Sequence, residues 1–161
     1  MRRMLNARLG LMVLVSVLTA PVAFASGGFG MSWQKLSHSQ GVDHIGCSNC
    51  NAYTGETACT QALPVLCIQQ DGSAVPPGVV PDFYNGWARG NVATTLPIRG
   101  TSLASLSAAN QLCTDSFGAG WRMAEFHDGA GGWNWYAYGN VRSDTRLWVY
   151  INDTVGNCWN P

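Results

Sequence analysis

The sequence predicts an α+β fold: a small disulfide-stapled domain with one main helix and several short antiparallel strands. Three observations lead there. All six cysteines, Cys47, Cys50, Cys59, Cys67, Cys113 and Cys158, lie downstream of a leader-like N-terminus, so they read as three disulfides formed in an oxidising compartment. One stretch alone, beginning near Thr101-Ser102, repeats small and apolar residues at helical spacing. Elsewhere, apolar runs of strand length are punctuated by Gly, Pro and Asn.

The first residues, Met1-Arg2-Arg3-Met4-Leu5-Asn6-Ala7-Arg8, are basic. An apolar stretch from Leu9 to Ala25 follows, interrupted only by Ser16 and Thr19, and it closes in Ala23-Phe24-Ala25. A basic region, an apolar run and an A-x-A site make a signal peptide, expected over 1–25 with cleavage after Ala25. The run is short for a span, which needs ~20 apolar residues, and Pro21 interrupts its end. The mature chain is therefore expected to be secreted, periplasmic or extracellular, without a membrane span. Removing 25 of the 161 residues leaves 136, enough for one domain. It also removes Arg2, Arg3 and Arg8, leaving six basic residues against nine acidic ones. With Lys35 as the single lysine and no basic cluster, nothing attracts nucleic acid.

Residues 26–46 are rich in Gly and Ser, with Trp33 and Val42 standing singly, and read as a flexible N-terminal arm. Residues 47–161 then form a single disulfide-rich domain. Its segment 47–62 is turn-rich and held by cysteines. Leu63 to Ile68 reads as a buried strand, with Pro64 near its start where a missing donor is tolerated. Residues 71–81 are loop, and Val92 to Ile98 is a second strand that Pro97 pushes toward an edge. The helix follows, capped by Thr101 or Ser102, with Leu106, Ala109, Leu112 and Cys113 on one face and Gly118 and Gly120 ending it. Trp121 to His127 reads as a strand and 128–132 as a Gly-rich loop. Leu147 to Asn152 gives the strongest strand signal. Cys113 and Cys158 stand apart from the other four cysteines and are expected to pair; the pairing within Cys47–Cys67 stays open.

From the helix onward the chain resembles a C-type lectin-like domain. The residues concerned are Ala108-Ala109-Asn110-Gln111-Leu112-Cys113, then Phe117-Gly118-Ala119-Gly120-Trp121-Arg122-Met123-Ala124-Glu125-Phe126. The Trp-led strand Leu147-Trp148-Val149-Tyr150-Ile151-Asn152-Asp153 and the late Cys158 complete the likeness, which spans about 101–161. It implies a C-type-lectin-like core. Calcium-dependent members bear Glu-Pro-Asn or Gln-Pro-Asp in a long loop and Trp-Asn-Asp in a late strand. This chain has neither triplet; Asn152-Asp153 matches the second in part and joins the candidate ligand-binding set.

Cys47-Ser48-Asn49-Cys50 is a CxxC, which elsewhere serves as a redox pair or, with Cys59, Cys67, His38 or His44, as a zinc site. Export and the missing thioredoxin frame favour structural disulfides. Glu125, His127 and Asp128, like Asp43 and His44, read as turn or surface polar residues, because neighbours in sequence do not make a spatial triad. No catalytic residue, metal or cofactor is expected.

The densest aromatic group is Trp133, Trp135, Tyr136 and Tyr138, flanked by Asn134, Asn140 and Arg142. Aromatic faces beside amides suit sugar stacking or a protein hot spot, so the expected ligand surface is a loop over 128–146. Tyr136 and Tyr138 are its expected exposed members, whereas Trp133 and Trp135 could form one buried strand face. Asn152-Asp153-Thr154 also matches the N-glycosylation pattern. The expectation is thus an exported, non-catalytic binding or adhesion module for an extracellular glycan or protein. The alternatives are a self-assembling subunit of an extracellular structure and, behind it, a secreted hydrolase.

Overall fold

The computed structural model describes residues 27–160; the expected signal peptide lies outside them. The strands are β1 (Phe29–Gly30), β2 (Ser32–Ser39), β3 (Val42–Gly46), β4 (Thr57–Ala58), β5 (Ala62–Leu63) and β6 (Leu66–Gln70). Next come β7 (Asn85–Thr94), β8 (Ile98–Arg99), helix α1 (Leu106–Phe117), β9 (Arg122–Met123), β10 (Asn134–Tyr138) and β11 (Leu147–Trp148). One helix among many short strands is the expected α+β composition, and no described helix is long and apolar enough to cross a membrane. Seven strands form one sheet in the order β11-β2-β3-β10-β7-β6-β9, while β1-β4 and β5-β8 are two-stranded ribbons. All pairs in the large sheet are antiparallel except β10 with β7.

The expected flexible arm is instead built into this sheet. Strands β2 and β3 join through Gln40-Gly41, both at positive φ (51° and 80°), the geometry of a two-residue hairpin turn that matches strand twist. Trp33 is fully buried, packing its ring 5.5 Å from both Phe126 and Trp135. A side chain of that size secures a strand although its polar neighbours hide the alternation. Buried Asp43 adds a polar pin: its carboxylate accepts the Val141 amide at 2.6 Å and lies 2.7 Å from His38 Nδ1 and 3.4 Å from Lys35 Nζ. Asp43 is thus no surface residue. A buried charge persists only when partners replace its water, and here three groups do so.

Helix α1 starts later than expected, with Ser105 Oγ accepting the Ala108 amide at 3.1 Å, because Gly100–Ser102 takes a 3-10 turn. Gly118 ends it at φ 101°. Ala109 and Cys113 form its buried face, against Leu103, Met123 and Trp148. Cys113 pairs there with Cys67 of β6, not with Cys158. Cys158 pairs with Cys59, and Cys47 with Cys50. The expected Cys113–Cys158 bridge fails because segment 47–67 crosses from the end of β3 to β6, leaving Cys47 and Cys50 together on one core cluster and bringing Cys59 and Cys67 to the other, beside Cys113 and Cys158. Three disulfides with no free thiol fit an oxidising compartment.

Four strand expectations shift. The expected strand Leu63 to Ile68 is divided, Leu63 ending β5 and Leu66 opening β6, which pair with different neighbours. The strand around Val92 begins at Asn85 and ends before Pro97. The segment from Trp121 pairs regularly only at Arg122–Met123, and that from Leu147 only through Trp148, though Glu125 still bridges Tyr150. Within the expected loop 128–146, Asn134–Tyr138 is β10, flanked by β3 and β7.

Candidate functional site

Four chain segments meet where β3 ends and β7 and β10 begin, since Asn134 is in register with both Gly46 and Asn85. Two of the loops there are fixed by side chains that cap their own backbone. Asn51 Oδ1 accepts the amides of Tyr53 and Thr54 at 3.0 and 3.1 Å, and Asp82 Oδ1 accepts those of Tyr84 and Asn85 at 2.7 and 2.8 Å. These turns leave Tyr53 and Phe83 pointing into solvent, 65% and 70% exposed. The donors from Asn85 and Tyr84 hold the Asp82 carboxyl below its ordinary pKa.

The third segment is the glycine-rich loop before β10. Gly132 donates to the Phe83 carbonyl at 2.8 Å and Asn134 to that of Tyr84 at 3.0 Å, strapping the two loops together. A Cβ on Gly131 would run into the Phe83 carbonyl oxygen, so glycine is required for this approach. The fourth segment follows β11, and Asn157 fixes it by bonding both the amide (2.9 Å) and the carbonyl (2.8 Å) of Ile151. Thr154 Oγ1 donates to the Ala52 carbonyl, closing the ring of loops.

Between them lies a cleft of about 280 Å³ whose walls include Tyr53, Phe83, Phe126, Trp133 and Ile151. Trp133 meets Phe126 edge to face at 5.4 Å. His127, Asp153 and Thr154 line it as polar side chains, beside the Tyr53 hydroxyl and the Trp133 indole N–H. His127 Nδ1 lies 3.0 Å from Glu125 Oε1, and its Nε2 is 3.9 Å from Asp153 Oδ2. Glu125 is buried and also accepts the amides of His127 and Asn152. A carboxylate only accepts, so an imidazole proton sits on Nδ1; Nε2 is an acceptor in the neutral ring and a donor toward Asp153 in the charged one. Asp128, on the far side, receives the Arg122 guanidinium and the Glu125 amide. Glu125 is therefore an inner positioning residue, not the surface group expected.

The expected ligand-binding residues are dispersed. Trp133 and Asp153 line the cleft. Asn152 is exposed beside it and lines a smaller hollow with Tyr150 and Trp159. Trp135 is fully buried in the core, its indole donating to the Glu125 carbonyl at 3.3 Å. Alternation along β10 sends Tyr136 and Tyr138 to the opposite sheet face from Trp135. There Tyr136 stacks on His44 at 4.2 Å and Tyr138 meets Trp87 edge-on at 5.1 Å, so neither tyrosine is freely exposed. Burial, partly offset by Asn85 and Asp82, lowers the His44 pKa below 6.5. Arg142 pairs with Asp144 away from the cleft, near Leu96 and Phe117.

Sequence reasoning missed Tyr53 and Phe83 and set His127 aside. A signal was present: each aromatic follows an Asn or Asp whose side chain can close a turn, in Asn51-Ala52-Tyr53 and Asp82-Phe83. Chemically, the cleft offers stacking surfaces, a carboxylate and an imidazole. Its one lining hydroxyl on an aliphatic side chain, that of Thr154, is engaged by a backbone carbonyl. Among the described residues no metal-ligating group of three His, Cys, Asp or Glu comes together. Compared with known proteins, no family model matches this chain, and no curated protein or solved structure matches it.

Proposed function

We propose that this chain is an exported binding or adhesion module that recognises an extracellular glycan or protein in the aromatic cleft without transforming it. One observation supports this above others: Tyr53 and Phe83, large and highly exposed, are held rigidly by side-chain-capped turns beside Trp133. Rigid aromatics at the mouth of a concave site supply contact area at low entropic cost. The binding surface thus narrows from 128–146 as a whole to its first part, around Trp133, with His127 just before it and three loops from elsewhere.

The likeness to C-type lectin-like domains extends the proposal to the core at 101–161, on the residue pattern of the helix, its glycine turn and the Trp148 segment. The function proposed here rests on the cleft and not on that likeness. Subunit assembly is the second reading, in which the exposed Val80 and Leu96, 84% and 87% accessible, would be covered by a neighbour. A glycan array together with a pull-down from the native exterior tests the first reading. Capture that Trp133→Ala and Tyr53→Ala abolish, from a protein that elutes as a monomer, supports it. Concentration-dependent oligomers with cleft variants unaffected favour assembly. Chelating calcium leaves capture unchanged, since both coordinating triplets are missing; loss on chelation sinks that expectation.

A further inference from the structure

We infer that the cleft receives a primary ammonium group on an aliphatic stem, as a lysine side chain of a partner protein presents it; this rests on the binding role proposed above. The polar groups at the cleft point to this ligand. Asp153 accepts no hydrogen bond from any described residue, and His127 Nε2 has none either. The Asp153 carboxylate is an acceptor, and with Nδ1 of His127 turned to Glu125 the neutral ring adds a second at Nε2. At 3.9 Å apart they are close enough for one nitrogen to donate to both. An ammonium supplies three donors and no acceptor, which matches this pair. A neutral sugar needs donors from the protein as well, and the free side-chain donors of the lining are the Tyr53 hydroxyl and the Trp133 indole N–H, Thr154 being engaged.

Charge agrees. The lining contains no lysine or arginine. Three basic groups of the fold are committed elsewhere: Arg122 to Asp128, Arg146 to Ser32, Ser48 and Glu56, and Lys35 to Asp43 and Asn140. Asp153 thus faces a cleft whose lining carries no balancing lysine or arginine. The walls agree as well. Trp133, Phe126 and Phe83 give π-faces and edges along which an alkyl stem packs, and a cation over an aromatic face gains further attraction. A volume of about 280 Å³ suits one side chain more than an extended chain of sugars.

The test uses the full chain as it matures after export, followed by NMR at the Trp133 indole and His127 ring. The probes are Nα-acetyl-lysine amide, its uncharged analogue Nα-acetyl-norleucine amide, glucosamine and methyl glucoside. The lysine probe shifts both resonances, and the norleucine probe binds at least about tenfold more weakly, as loss of one charge-assisted contact dictates. Asp153→Asn lowers lysine affinity by about tenfold and leaves norleucine unchanged, with an unaltered melting curve because Asp153 is exposed. Tyr53→Ala, equally free of structural duty, weakens both amino-acid probes. Equal binding of lysine and norleucine, or an Asp153→Asn protein with undiminished lysine affinity, overturns the inference. Glucosamine binding as tightly as lysine overturns the assignment to a protein side chain. If methyl glucoside alone shifts Trp133, the ammonium inference falls while the binding module stands. If no probe moves a cleft resonance and the array and pull-down are also blank, the module itself falls.

Discussion

At the residue scale, three tryptophan positions within a short span behave differently, and burial decides which. Trp135 lies in the core, Trp148 is as deeply buried beneath the helix, and Trp133 is half-buried at the cleft. Trp135→Ala and Trp148→Ala should each cost about 3–5 kcal/mol, read from denaturant unfolding. Tyr53→Ala should cost less than about 0.5 kcal/mol yet abolish capture. Tyr138→Ala is the binding control, because its ring faces the other side of the sheet. A Tyr53→Ala protein that binds normally would move the site elsewhere. His44 gives a pH prediction. Its folded pKa lies below the unfolded one near 6.5, so the unfolded chain takes up the proton first as pH falls. Its contribution is complete above the unfolded value and is lost progressively as pH drops toward the folded one. Melting temperature should therefore fall on acidification through that window, and His44→Gln should flatten part of the slope. Parallel profiles for the two proteins would show that His44 does not contribute.

At the element scale, the disulfides differ in how much chain they close. Cys59–Cys158 spans 99 residues, Cys67–Cys113 spans 46 and Cys47–Cys50 only three. Restriction of the unfolded chain grows with loop length, so the first two are worth roughly 4–5 kcal/mol each and the third much less. Paired Cys→Ala variants, unfolded in urea, should keep that division between long and short loops; a Cys47/Cys50 variant as unstable as the others would contradict it. Several elements were legible before the structure. The helix announced itself through Ala109 and Cys113 and the glycines behind it, and Trp148 through its apolar neighbours. Strands β2 and β3 were hidden, since Gln34, Ser37 and His38 follow no clean alternation and the hairpin turn is Gln-Gly instead of Asn-Gly. The cysteine pairing was hidden for a different reason: it depends on which strands become neighbours, and order along the chain does not report that. The cleft was half legible, through Trp133 and Asp153, because its other walls come from loops distant in sequence.

At the scale of the whole molecule, the N-terminal hairpin occupies the interior of the sheet, between β11 and β10. Deleting residues 27–46 should therefore abolish folding, not trim an appendage, with loss of dispersed amide signals in an NMR spectrum. A folded, stable remainder would contradict the sheet order. The same arrangement has a kinetic side. Trp33 meets its ring partners Phe126 and Trp135 only after most of the chain has passed, and β2 waits for Leu147 and Trp148 before its outer edge is covered. Pairings so remote in sequence put such a topology among slow folders, on the order of milliseconds to seconds. A chain delivered N-terminus first holds the outer edge of β2 open until its tail arrives, and in that interval a holdase chaperone and aggregation compete for it.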